Sequence, residues 1–186
     1  MPMYEDDTIR PNNIEIGEII KQHADEFIRI GKLLNKNGLA IGTGGNLSVR
    51  VPGGLLVTST KSSLAYLKSD EIIFVFASED DKIFFVGQKK PSSETITHWE
   101  IYKMNPSANA IVHVNAGPKD GSDTLISETE IPYGTKDLGE DTGKLLIKRD
   151  VVMMKNHGMI STGDDLSHAA EKIIKNADRN KPYIFT

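Results

Sequence analysis

Apolar side chains recur at helical spacing over residues 14–37, where Ile16, Ile19, Ile20, Phe27, Ile30 and Leu34 fall on one face. This predicts a long amphipathic opening helix with that stripe turned to the core. Asn12 followed by Glu15 resembles a capping box at its start, and Gly38 is suited to end it. The loop AIGTGGN, with three glycines, breaks the periodicity. Short β-like runs follow: NLSVR at 46–50, LLVTST at 55–60, IIFVF at 72–76 and KIFFV at 82–86. PGG and EDD supply the turns within two of these pairs.

SSETITHWEIYKM, residues 92–104, reads as a helix of about three turns, stopped before Asn105-Pro106 because a residue preceding proline disfavours the helical basin. Glu94 then falls in its first turn. AIVHV at 110–114 and VVMMK at 151–155 are strands by their β-branched and apolar content, and DDLSHAAEKIIKNA at 164–177 is a closing amphipathic helix. The stretch between these last strands reads as irregular. The order of elements predicts an α/β fold of three α/β/α layers, a sheet covered by helices on both faces.

The chain has 186 residues, of which 38% are hydrophobic, so one domain over 1–186 is expected, since domains usually run ~100–200 residues. Twenty-two basic against 26 acidic side chains give a net charge of -4, and no Lys/Arg block marks a nucleic-acid footprint. Cysteine is absent, so a metal site must be built from His and carboxylate ligands. The opening MPMYEDDTIRPNN lacks a signal-peptide pattern, and no apolar run approaches the ~20 residues that span a bilayer. A cytoplasmic protein with no membrane or nucleic-acid partner is the expectation.

In AIVHVNA, strand alternation sends Ile111, His113 and Asn115 to one face, and Val112 and Val114 to the other. His157, in KNHGM, stands where a strand meets a glycine turn, a place that presents side chains into clefts. Taken singly, such histidines are more often hydrogen-bonded structural residues than ligands. Gly44-Gly45-Asn46, Thr58-Ser59-Thr60 and Ser92-Ser93 combine small residues, hydroxyls and backbone N–H groups, which suits an anion such as phosphate, and the last pair adds a helix N-terminus. The same groups also make turns, and Ser92 is equally suited to be an N-cap.

Together, GTGGNLSVR, VTST, KPSSETITHWEIYKMNPSANAIVHV and KNHGMISTGDDLSHAAEKI, in that order, resemble the class II aldolase/adducin family from about residue 14 to about residue 177. Residues 116–130 match most weakly. The resemblance implies a central, mostly antiparallel sheet. It also implies a zinc or other divalent ion that acts as a Lewis acid on the carbonyl of a ketose 1-phosphate during retro-aldol cleavage to dihydroxyacetone phosphate and an aldehyde. Carried over by motif, His113 and His157 would be metal ligands, and Glu94 both a ligand and the acid/base. Gly45, Asn46, Thr60, Ser92 and Ser93 would hold the phosphate. His98, one turn after Glu94, shares its face and reads as support or packing. A cytoplasmic homotetramer of carbohydrate metabolism, with the pocket between subunits, is implied by the same resemblance.

Three features depart from the family pattern. Asn115 stands where active members usually carry a second histidine of a His-x-His pair, and a carboxamide oxygen is a weak zinc ligand. Lys61 stands where the family's T-x-T-G loop has glycine; it either contacts the phosphate, crowds the pocket or points into solvent. The segment AGPKDGSDTLISETE does not match the one that supplies a tyrosine from a neighbouring subunit, which leaves Tyr133 and Tyr183 as candidates. The expectation is a sugar-phosphate aldolase. Its alternatives are a family member without catalysis that binds sugar phosphates or acts as a scaffold, and a sugar-phosphate epimerase or dehydratase.

Overall fold

The computed structural model describes residues 13–79 and 82–182. Helix α1 (Asn13–Lys36) opens it, as the spacing predicts, and buries Ile16, Ala24, Phe27, Ile30 and Leu34. It ends where Gly38 adopts φ +72°, a left-handed conformation that costs glycine little. Asn12, the predicted cap, lies outside the described residues, as do Asp80 and Asp81 of the EDD turn.

Four strands follow as a meander: β1 (Asn46–Val51), β2 (Gly54–Thr58), β3 (Ile72–Glu79) and β4 (Lys82–Val86). Helix α2 (Thr95–Met104) leads to β5 (Ala110–Val114) and β6 (Ala116–Pro118). A two-residue strand β7 (Leu125–Ile126) precedes helix α3 (Lys136–Leu146), the hairpin β8 (Val151–Met154) and β9 (Gly158–Gly163), helix α4 (Leu166–Asn176) and β10 (Ala177–Pro182). Eight strands form one sheet in the order β4-β3-β2-β1-β5-β9-β8-β7, antiparallel throughout except for the β7–β8 pair. Strands β6 and β10 pair separately.

Two apolar clusters lie on opposite faces of this sheet. Phe27, Ile30 and Leu34 of α1 and Leu166, Ala169 and Ile173 of α4 pack with Leu47, Val112 and Val114. Ile101 and Tyr102 of α2 and Leu138 and Leu146 of α3 pack with Ile111, Val57 and Ile160. The α/β/α layering follows from strand alternation in the central strands, since both faces of β5 are fully buried.

Helix α3 falls in the stretch that sequence patterning reads as irregular. Gly139 and Gly143 lower its helix propensity, yet they are the residues that admit α2: a Cβ at 139 would come within 2.6 Å of Glu100 Cβ, and one at 143 within 2.8 Å of Met104 Cβ. Strand β10 escapes the patterning for another reason, because ADRNKP carries only one apolar side chain that is buried, Ala177.

Two glycines of α1 make opposite predictions. A Cβ at Gly17 would meet nothing within 4 Å, so Gly17→Ala should stabilise by about 0.5–1 kcal/mol, the usual helix-interior gain. Gly31 packs against the Leu64 carbonyl oxygen, where a Cβ would collide, so Gly31→Ala should destabilise by about 1–3 kcal/mol despite its better propensity. Urea unfolding of both variants beside the parent protein tests the pair, and a stabilised Gly31→Ala would show that the helix can move away from Leu64 at little cost.

Candidate functional site

Strand register brings the site together. Asn46 of β1 pairs directly with His113 of β5, and His113 pairs with Ile160 of β9. His157 sits in the turn of the β8–β9 hairpin, whose last strand pairs join Met154 to Gly158. That turn is sharpened by Asn156 at φ +55°, a left-handed conformation that asparagine tolerates, and Asn156 Nδ2 donates to Glu130 Oε2 at 2.7 Å. Gly158 follows because a Cβ there would come within 2.9 Å of His113 Cε1.

Glu94 reaches the same point from the start of α2. It is the N-cap rather than a first-turn residue, and it is buried at 8% exposure. Its Oε1 accepts from Asn46 Nδ2 at 3.1 Å and lies 3.5 Å from His113 Nε2, while its Oε2 lies 3.1 Å from His157 Nε2. The two imidazoles meet edge-on, 4.8 Å between ring centres. Burial alone would raise the Glu94 pKa, but the nearby His113, His157 and His98 outweigh it and hold the carboxyl at about 2. Burial lowers the His113 pKa against the opposing pull of Glu94.

The tautomer of His113 follows from its surroundings. Its Nδ1 donates to the Met159 carbonyl at 3.0 Å, so the neutral ring carries its proton there and presents a bare lone pair at Nε2. That nitrogen is buried with no hydrogen-bond partner among the described residues, as are Asn115 Oδ1 and Asn46 Oδ1. A lone pair facing a carboxylate at 3.5 Å is an acceptor facing an acceptor. Glu94, His113 and His157 can each offer one ligand atom within 4.8 Å of the others, an oxygen and two nitrogens. This donor set fits a divalent cation.

In front of this cluster opens a cleft of about 400 Å³. Gly45, Asn46, Thr60, Lys61, Ser92, Ser93, Glu94 and Asn115, all singled out from the sequence, line it together, whereas His113 and His157 are buried behind it. Gly45 holds φ +83°, and a Cβ there would come within 2.7 Å of the His113 carbonyl. Lys61 takes φ +61°, so this lysine supplies the left-handed turn itself, at a cost of about 1–2 kcal/mol, and still lines the cleft. Ser92 caps the region: its Oγ accepts from the Glu94 N–H and its carbonyl from Thr95 Oγ1. Asn46, which the family pattern gives to phosphate, is committed in part to Glu94.

Tyr133 and Arg179 also line the cleft. Tyr133, one of the two tyrosine candidates, stands at the rim with its ring 6.1 Å from that of His157; Tyr183 lies outside the described residues. Arg179 has no counterpart among the residues that the sequence singles out. It projects from β10, and no periodicity marks that strand. Gly38 makes room for it, since a Cβ there would touch Arg179 Cβ at 3.3 Å.

Below Glu94 a buried polar relay ties α2 to the sheet. The Ser48 hydroxyl bridges His98 Nδ1 at 2.8 Å and the Tyr102 hydroxyl at 2.9 Å, and the Arg50 guanidinium stacks 4.8 Å from the Tyr102 ring centre. Burial holds the His98 pKa down to about 3, against the pull of Glu94, so the ring stays neutral. Ser48→Ala should strand both partners and cost about 1–3 kcal/mol in urea unfolding, whereas a loss below ~0.5 kcal/mol would show that the relay is dispensable.

Residues 25–116 match the class II aldolase and adducin N-terminal domain family. The chain is 31% identical to the L-fuculose phosphate aldolase of Methanocaldococcus jannaschii over 80% of this chain and 88% of that one. It is 30% identical to the 3-oxo-tetronate 4-phosphate decarboxylase of Haemophilus influenzae over 78% and 79% respectively. Among solved structures, YgbL from Klebsiella pneumoniae superposes with a TM-score of 0.71 at 25% identity, covering 84% of this chain and 85% of that one. Extensive coverage at this identity, with the fold and the clustered Glu94, His113 and His157 alongside it, makes this chain a member of the class II aldolase/adducin family.

Proposed function

We propose that the cleft takes a phosphorylated sugar and cleaves a carbon–carbon bond next to its carbonyl, by retro-aldol cleavage of a ketose 1-phosphate to dihydroxyacetone phosphate and an aldehyde. The observation that carries this reading is the buried Glu94 carboxylate, set between two imidazoles at the back of a cleft lined by hydroxyls, glycine backbone and the cationic residues Lys61 and Arg179. Glu94, His113 and His157 would hold a divalent cation, which when bound supplies Lewis-acid polarisation of the substrate carbonyl.

The chain's own groups divide the remaining work. Thr60, Lys61, Ser92 and Ser93, with the backbone at Gly45, would hold the phosphate at the outer end of the cleft, with Lys61 supplying the cationic charge. That anchoring places the reacting carbons over Glu94. Cleavage requires one proton to leave the hydroxyl of the carbon that becomes the aldehyde and one to reach the carbon left behind. Glu94, ionised at neutral pH, is suited to accept the first and, once protonated, to deliver the second, so that no net proton is gained or lost, while the Tyr133 phenol at the rim would donate a hydrogen bond to the oxygen of the departing aldehyde. Asn46 and the His113–Met159 hydrogen bond keep the carboxylate and the ring in place during these transfers.

A second reading, decarboxylation of a phosphorylated 3-oxo acid, is favoured by Arg179. Arg179 lines the same cleft, has no ion-pair partner among the described residues, and carries a guanidinium that suits a substrate carboxylate. Relatives from three bacteria are named for such a reaction.

With a divalent cation supplied, the protein should release dihydroxyacetone phosphate from at least one of a panel of pentulose and hexulose 1-phosphates. Glu94→Gln should lose about 10²–10⁴-fold in kcat while keeping its far-UV circular dichroism. Lys61→Gly should raise KM for the phosphorylated substrate more than it lowers kcat, since the lost contact is to a part of the substrate that does not react. Carbon dioxide release from a 3-oxo-tetronate phosphate, with no turnover of any ketose 1-phosphate, would replace the first reading by the second.

A further inference from the structure

The donor set at Glu94 differs from an all-histidine one in a way that bears on which cation it holds. Asn115 follows β5 two residues after His113, on the same face. Its amide nitrogen is turned to the glycine loop, since a Cβ at Gly44 would come within 3.0 Å of Asn115 Nδ2. The carboxamide oxygen therefore points away from that loop. It is buried without a hydrogen-bond donor among the described residues, as is His113 Nε2. A buried carbonyl oxygen with no donor is unfavourable unless a cation or water meets it.

We propose that Asn115 Oδ1 is an oxygen ligand to the cation held by Glu94, His113 and His157. In consequence the site favours zinc over manganese less than it would with an imidazole at position 115. This inference rests on the reading of that cluster as a metal site. Two imidazole nitrogens, one carboxylate oxygen and one carboxamide oxygen form a harder set than three nitrogens and one oxygen. Imidazole suits zinc, copper and iron, whereas carboxylate and carbonyl oxygens suit manganese and magnesium. Zinc still binds any such site more tightly than manganese in absolute terms, because affinity rises along the divalent series. The quantity that reports Asn115 is accordingly the ratio of the two dissociation constants. Asn115 stands half-buried at the cleft wall.

The test needs no turnover. Chelator-stripped protein is titrated with Mn²⁺, followed by the electron paramagnetic resonance signal of the free ion, and with Zn²⁺ in competition with a chromophoric chelator. The parent protein should bind one ion per chain. Asn115→Ala should weaken Mn²⁺ about tenfold or more, and Asn115→His should raise the preference for Zn²⁺ over Mn²⁺ by at least about tenfold. Circular dichroism of both variants checks the fold, and Asn115→His serves as a gain-of-affinity control that misfolding cannot mimic. Dissociation constants within about twofold of the parent for Asn115→Ala, or an unchanged ratio for Asn115→His, would overturn the ligand role while leaving the metal site standing. Failure of both the parent and Asn115→His to bind either ion would remove the metal reading and this inference together.

Discussion

A carboxylate at 8% exposure, enclosed by β-sheet and helix, is the constraint on which the arrangement turns. Removing a charge from water is costly unless it is paired and hydrogen-bonded, so Glu94 must be met from several directions. It accepts a hydrogen bond from Asn46 of β1, and His113 of β5 and His157 of the β8–β9 turn close on it from two further sides, where a bound cation would complete the pairing. Each partner is fixed by backbone that serves another purpose. Asn46 and His113 are opposite residues in one ladder, and the His113 ring is oriented by the carbonyl of Met159 in the next.

Register is therefore as much a functional requirement as a structural one. A slip of one residue in β5 would carry His113 to the α1/α4 face and Val112 or Val114 to the site, because strand side chains alternate. The two apolar clusters forbid that slip, since Ile111 belongs to one and Val112 and Val114 to the other. Stability and chemistry are thus enforced by the same pairing. The close backbone approaches at Gly45 and Gly158 have the same origin, as both glycines let a loop come near enough to His113 to close the site from above and below. On the far side, the Ser48–His98–Tyr102 relay ties α2 to β1 through polar contacts, so that the helix bearing Glu94 is held in register with the strand bearing Asn46.

What is legible in the sequence follows from which elements carry a strong pattern. Helix α1, strands β1 to β5 and β8, and helix α4 announce themselves by periodicity or by β-branched and apolar runs. With them come Glu94, His113 and His157, which sit at or near the ends of patterned elements. Helix α3 stays hidden because its two glycines suppress propensity and reveal their packing role only once α2 is placed against them. Strand β10 stays hidden because its side chains are mostly polar and exposed, its pairing with β6 being a backbone matter. Arg179 is hidden with it. Lys61 is visible as a departure, but its backbone conformation is not, since a left-handed lysine has no signature in a single sequence.

The division between legible and hidden residues also separates two kinds of work. Groups that would hold a cation and move a proton come from the central strands and the start of α2, where the two cores leave little freedom to change. Tyr133, Arg179 and Lys61 come from a loop before α3, a polar edge strand and a strained turn, where substitutions cost little packing. Those three stand at the rim of the cleft, where a substrate's far end and its phosphate would lie. A scaffold built this way can keep one carbon–carbon cleavage apparatus and alter what is cleaved by changing the rim. Relatives near 30% identity bear the names of both an aldolase and a decarboxylase, which is the outcome such a division would produce. On the function proposed above, the chemistry of this chain would be set by its core, and its substrate by the rim residues Tyr133, Arg179 and Lys61.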